Sequence, residues 1–159
     1  MSGSPAGKLI AELEIADADA MHQLGLRLAS QLRGGDLILL TGPLGAGKTT
    51  LTRGIGEGLK VIGNVSSPTF VIARTHHTEN PNLAMVHVDA YRLSSLDEFD
   101  DLAIDYANSV VLVEWGRGFT DGLASSWLEV EIERDHTTAS EVRKVRVTAF
   151  GPRFEGLKL

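Results

Sequence analysis

The 159 residues carry 15 Lys and Arg against 21 Asp and Glu, a formal charge of −6, and 43% of them are hydrophobic. That apolar content suffices for one ordinary domain with its own core, while the acidic balance disfavours direct, strong RNA or DNA binding, which depends on Lys and Arg neutralising phosphates. With no cysteine, a disulfide framework and a thiolate metal site are both excluded, which agrees with a reducing cytoplasm.

The start, Met1 to Lys8, lacks the apolar core of a signal peptide, and no stretch is long and apolar enough to span a bilayer. We therefore read residues 1–8 as a flexible tail and 9–159 as a single soluble, cytoplasmic domain. Leu9 to Ile15 reads as a strand. Asp17 then suits the N-cap of a helix with apolar positions Met21, Leu24, Leu28 and Leu32, ended by Gly34-Gly35. Asp36 to Thr41 is a continuous apolar run, as expected of a buried parallel strand. A helix starting near Lys48 spaces Leu51, Ile55 and Leu59 four apart, although Gly54, Gly56 and Gly58 lower its intrinsic propensity, so packing must hold it.

Val65 to Arg74 looks extended and is interrupted at Ser67-Pro68, and Thr75 to Asn82 reads as a polar loop in which His76 and His77 are solvated. Leu83 to Asp89 is a strand. Ser95-Leu96-Asp97-Glu98 has capping-box spacing for a helix burying Leu96, Phe99, Leu102 and Tyr106. Val110 to Val113 is an apolar strand ending on Glu114-Trp115. Trp127 to Ile132 and Val145 to Thr148 alternate in polarity, which predicts a closing antiparallel pair; Arg143, Lys144 and Arg146 read as its solvated face. The order is α/β: a mostly parallel sheet flanked by helices, with antiparallel strands at the C-terminal end.

Between the buried strand and its helix lies Gly42-Pro43-Leu44-Gly45-Ala46-Gly47-Lys48-Thr49, which matches G-x-x-x-x-G-K-[ST]. Glycines let consecutive backbone N–H groups converge on phosphate oxygens, and the helix N-terminus adds a favourable dipole. Lys48 suits the β- and γ-phosphates, and the Thr49 hydroxyl suits Mg²⁺, a hard cation that prefers oxygen. The fold expected is that of a P-loop NTPase.

Ligands of open α/β sheets sit beyond the carboxyl ends of the strands, which singles out Asp89 and Glu114. Glu114, on the more fully buried strand, is the better candidate to orient or deprotonate the attacking water. Asp89 becomes the metal-side acid, and the two roles are open to exchange. Ser67-Pro68-Thr69-Phe70 reads as a nucleotide-sensing switch or as a plain proline-interrupted strand. Trp115 reads first as a core tryptophan, and His87 as a structural histidine. Tyr91 and Arg92 are placed to line the same mouth.

Taken together, Gly42 to Thr50, Ser67-Pro-Thr-Phe70, His87-Val-Asp-Ala-Tyr-Arg-Leu93 and Leu112-Val-Glu-Trp115 resemble the bacterial TsaE (YjeE) family of small P-loop ATPases required for N6-threonylcarbamoyladenosine in tRNA. The resemblance implies an ATPase acting with the TsaB–TsaD pair and meeting tRNA only through those partners. It implies that Gly42, Leu44, Gly45, Ala46, Gly47, Lys48, Thr49 and Thr50 bind the phosphates of ATP. Thr49 and Glu114 would hold Mg²⁺, and Asp89 and Thr69 would support hydrolysis. Asp17, with Val142 and Arg143, would approach the base. The rivals are a small-molecule or nucleoside kinase, for which Arg117 is the nearby arginine, and a nucleotide-switched interaction protein with negligible hydrolysis. A GTPase is disfavoured because no Asn-Lys-x-Asp segment is present.

Overall fold

The computed structural model describes residues 6–43, 45–65, 72–93, 98, 102–115, 124–134 and 141–159. The elements run β1 (Gly7–Ile15), α1 (Ala18–Ala29), β2 (Leu37–Thr41), α2 (Lys48–Gly58), β3 (Ala73–His77), β4 (Ala84–Asp89), β5 (Ser109–Glu114), β6 (Trp127–Arg134) and β7 (Arg143–Phe150). One seven-stranded sheet has the order β1-β7-β6-β2-β5-β4-β3. Its middle, β6-β2-β5-β4, is parallel. Its margins are antiparallel, with β3 on β4 at one side and β7 between β6 and β1 at the other. β7 alternates buried and half-buried positions, while β6 is buried throughout Trp127, Leu128, Glu129 and Val130, and the two pair antiparallel as expected. The N-terminal strand closes the same margin, and it begins at Gly7 rather than Leu9, so that Gly7 and Lys8, read as part of the tail, pair with Phe150 and Ala149.

The central strands are apolar on both faces because both faces are covered. On one face Ile38, Leu40, Leu112 and Val130 pack with Met21, Leu24, Leu28, Leu51 and Ile55 of the two helices. On the other, Leu37, Leu39, Val86, Val88, Val111 and Val113 pack with Ala90, Leu93, Leu102, Ile104 and Tyr106.

The helices cross at glycines. A Cβ on Gly54 would lie 2.3 Å from the His22 carbonyl oxygen, and one on Gly25 would lie 2.5 Å from that of Leu51. Backbone thus rests on backbone, so the propensity that Gly54 sacrifices is returned as close packing. His22 Nε2 meets a Glu57 carboxylate oxygen across the same contact. Below it, Asp36 fixes the approach to β2: its carboxylate accepts from Arg153 at 2.9 and 3.1 Å and from the Arg33 backbone N–H at 2.8 Å.

Three expectations change. The first helix ends at Ala29, capped by the backbone of Ser30, because the chain turns toward β2 before Gly34-Gly35; Leu32 still packs against the core. Thr75 to His77 belong to edge strand β3, where pairing with β4 buries His76 and leaves His77 exposed. The helix expected to run to Tyr106 does not reach it: Leu102 lies in a turn and Tyr106 opens a separate 3-10 turn, Tyr106–Asn108. Leu96 and Phe99 lie outside the described residues.

Candidate functional site

The parallel strands of the sheet centre all deliver their carboxyl ends to one edge. β2 runs into the glycine loop, β5 ends on Glu114, β4 on Asp89 and β6 on Arg134. Because β2 is flanked by β5 and β6, the loop is approached from two sides.

The loop itself needs its glycines. Gly45 and Gly47 adopt φ of +79° and +117°, a region costly for residues with a Cβ. Gly47 also precedes α2 as an N-cap without a side-chain hydrogen bond, leaving the first-turn N–H groups without a protein side-chain cap. Such a helix start favours an anion through its N–H donors and dipole. Thr49 is exposed in this first turn, and Thr50 lies beside it, half-buried.

On the β5 side stands a charged network. Lys48 Nζ donates to the Gly42 carbonyl at 2.6 Å and lies 3.7 Å from Glu114 Oε1. It also sits 4.3 Å from the centre of the Trp115 ring, a cation–π distance. Glu114 Oε2 is 2.9 Å from Nε2 of His87, whose ring is buried. Burial pushes the Glu114 carboxyl upward, but the His87 hydrogen bond and the charges of His87 and Lys48 outweigh it, leaving the group below the ordinary carboxylate value. Glu114 is therefore anionic at neutral pH. Asp89 lies one strand further out, in register with Glu114, and its carboxylate accepts from the Tyr91 backbone N–H at 3.2 Å.

Two sequence expectations are corrected here. Trp115 is not a core residue: it is 39% exposed, with φ of +60°, and faces Lys48 and Tyr91, whose ring centre is 6.1 Å away. His87 is buried as expected of a structural histidine, yet it touches the Glu114 carboxylate directly. Alternation of apolar residues revealed its burial; only the β4–β5 register, His87 opposite Leu112, reveals its partner.

On the β6 side, Asp17, Met21, Gly45, Ala46, Gly47, Thr50, Glu141 and Arg143 line a cavity of about 210 Å³. Asp17 serves as the N-cap of α1, accepting from Ala20 N–H at 2.8 Å. The structure thus gathers Asp17, Arg143, the loop, Lys48, Glu114 and Asp89 along one edge. Leu44, Thr69 with its Ser67-Pro68 neighbours, and Arg117 lie outside the described residues, as does the side chain of Arg92.

The family model "Threonylcarbamoyl adenosine biosynthesis protein TsaE" matches residues 15–145. The chain belongs to the TsaE family. It is 55% identical over 138 residues to the tRNA threonylcarbamoyladenosine biosynthesis protein TsaE of Streptomyces coelicolor, covering 84% of this chain and 93% of that protein. It is 38% identical to the TsaE of Bacillus subtilis, over 77% and 75% of the two chains. The crystal structure of Bacillus subtilis YdiB superposes with a TM-score of 0.71 at 29% identity, covering 98% of this chain and 94% of that one. TsaE membership assigns the chain to tRNA threonylcarbamoyladenosine biosynthesis and implies nucleotide binding. Among the described residues no helix is long and apolar enough to cross a membrane.

Proposed function

We propose that the chain is a magnesium-dependent ATPase that supports threonylcarbamoyl transfer to tRNA adenosine together with TsaB and TsaD. The observation that carries this reading is the 3.7 Å approach of Lys48 to Glu114 across the ends of β2 and β5, beside a helix start with no side-chain cap. The donors suit the ligands. The loop N–H groups and Lys48 match phosphate oxygens, while the Thr49 hydroxyl and the anionic Glu114 carboxylate are hard oxygen ligands of the kind magnesium takes. Magnesium, when bound, neutralises charge on the phosphates.

In this reading Lys48 binds the β- and γ-phosphates and Thr49 and Glu114 hold the metal. His87 fixes the Glu114 carboxylate through its Nε2 contact. Asp89, one strand away, orients the attacking water, with Thr69 in support. Trp115 shields Lys48 from solvent. The formal charge of −6 supports contact with tRNA through the partner subunits rather than directly.

The test is a multiple-turnover reconstitution of the tRNA modification with TsaB, TsaD and ATP, with and without this chain. Modified adenosine should accumulate beyond one equivalent only when the chain is present. Unchanged turnover on its omission would remove the accessory-ATPase reading, and labelled phosphate on a small acceptor would replace it with a kinase.

A further inference from the structure

β6 runs three residues past its last pairing with β2, in which Thr41 stands opposite Glu131. Ile132, Glu133 and Arg134 therefore travel alongside the glycine loop. A Cβ on Gly42, at the foot of the loop, would lie 2.7 Å from the Ile132 carbonyl oxygen, and one on Gly45, at the crest, would lie 3.3 Å from Arg134 Nη1. The guanidinium thus rests on the crest, on the side away from Glu114. Arg134 is exposed, and among the described residues its guanidinium has no side-chain hydrogen bond or ion pair, whereas neighbouring Glu133 pairs with Arg146.

Arg134 stands directly opposite Arg143 in the β6–β7 register, which brings a second guanidinium to the same margin of the loop. Arg143 in turn lines the cavity beside Gly45 and Asp17. That cavity also carries Asp17 and Glu141, so its interior is unsuited to a phosphate chain. The positive charge lies at its border with the loop.

We propose that Arg134 binds the ribose-proximal phosphates of the nucleotide, opposite the flank where Lys48 and Glu114 handle the terminal one. This rests on the nucleotide-site reading above. A planar guanidinium offers paired donors to phosphate oxygens, and from the crest it would bind di- and triphosphates alike.

The experiment compares ADP and ATP affinities of the wild-type protein with those of Arg134→Ala and Arg134→Lys, using calorimetry in the presence of Mg²⁺ at two salt concentrations. Loss of one charge-assisted contact predicts that Arg134→Ala weakens both nucleotides by the same factor, about 10-fold. The salt dependence should become shallower, Arg134→Lys should recover part of the loss, and the melting temperature should stay unchanged. Unchanged affinity for both nucleotides would overturn the proposal, as would a loss confined to ATP, which would place Arg134 at the terminal phosphate. If the wild-type protein itself bound neither nucleotide, the underlying reading of the site would fail instead.

Discussion

The two flanks of the glycine loop are built differently. On the β5 flank the groups are packed against each other and already paired: Lys48 with Gly42, Glu114 and Trp115, and Glu114 with buried His87. On the β6 flank Arg134 is exposed on the loop crest and Asp17 is engaged with its own helix. A preorganised, partly dry flank suits chemistry, because charges fixed in advance need no rearrangement in the transition state. An open flank bordered by both signs of charge suits recognition. On the proposed reading one loop joins two functions, and substitutions on its two flanks should affect them differently.

The largest effect should come from Lys48→Ala. It removes the cation from the side proposed for the terminal phosphate and leaves Glu114 and His87 without it. With single electrostatic contacts of this kind worth on the order of 100- to 1,000-fold in rate, ATP hydrolysis should fall at least that far and ATP binding should be lost in calorimetry. Retained hydrolysis would break the distinction between the flanks.

The β5 flank was largely legible in the sequence, and the reason is physical. A buried parallel strand must be apolar throughout, so Asp36 to Thr41 and Val110 to Val113 announce themselves, and the charged residue that ends such a strand stands out as Glu114 does. The β6 flank was not legible in the same way. Arg134 follows Glu131, Ile132 and Glu133 in a run typical of any solvated strand end. Its significance comes from β6 lying parallel and next to β2, a pairing made over 90 residues of separation. His76 was misplaced for a related reason: an edge strand of polar residues looks like a loop until β4 is beside it. Trp115 was misplaced because a tryptophan after an apolar strand ordinarily continues the core, and here a positive φ turns it back over Lys48.

Glu114→Ala sharpens the comparison within the β5 flank. Phosphate release, measured with the partner proteins present, should drop on the order of 100-fold, the scale of a lost catalytic carboxylate. Its dependence on magnesium should weaken, while ADP binding stays nearly intact because the loop and the β6 flank are untouched. Full phosphate release would remove Glu114 from the assigned role.

Gly54→Ala tests whether the helix crossing holds the flanks in register. The new methyl would collide with the His22 carbonyl, since the 2.3 Å separation leaves no room beside fixed backbone. Overpacking of this kind costs roughly 1–3 kcal/mol, against about 1 kcal/mol regained in helix propensity. Thermal melting should therefore show a net loss. Because α1 carries Asp17 and Met21, while α2 begins in the loop, displacement between the helices should weaken nucleotide binding more than it slows hydrolysis of bound ATP.

The smallest effect separates two roles of one residue. Asp17 caps α1 through its hydrogen bond from Ala20 N–H and also lines the cavity. Asp17→Ala removes both and should cost about 1 kcal/mol of stability, the usual value of an N-cap. Asp17→Asn keeps an oxygen for the cap but removes the negative charge facing the cavity, so its melting temperature should match that of the wild-type protein. If Asp17→Asn nevertheless loses affinity for ATP, the carboxylate contributes to recognition of the nucleoside. If only Asp17→Ala loses affinity, in proportion to its stability, Asp17 serves the β6 flank solely by fixing the helix that forms its wall.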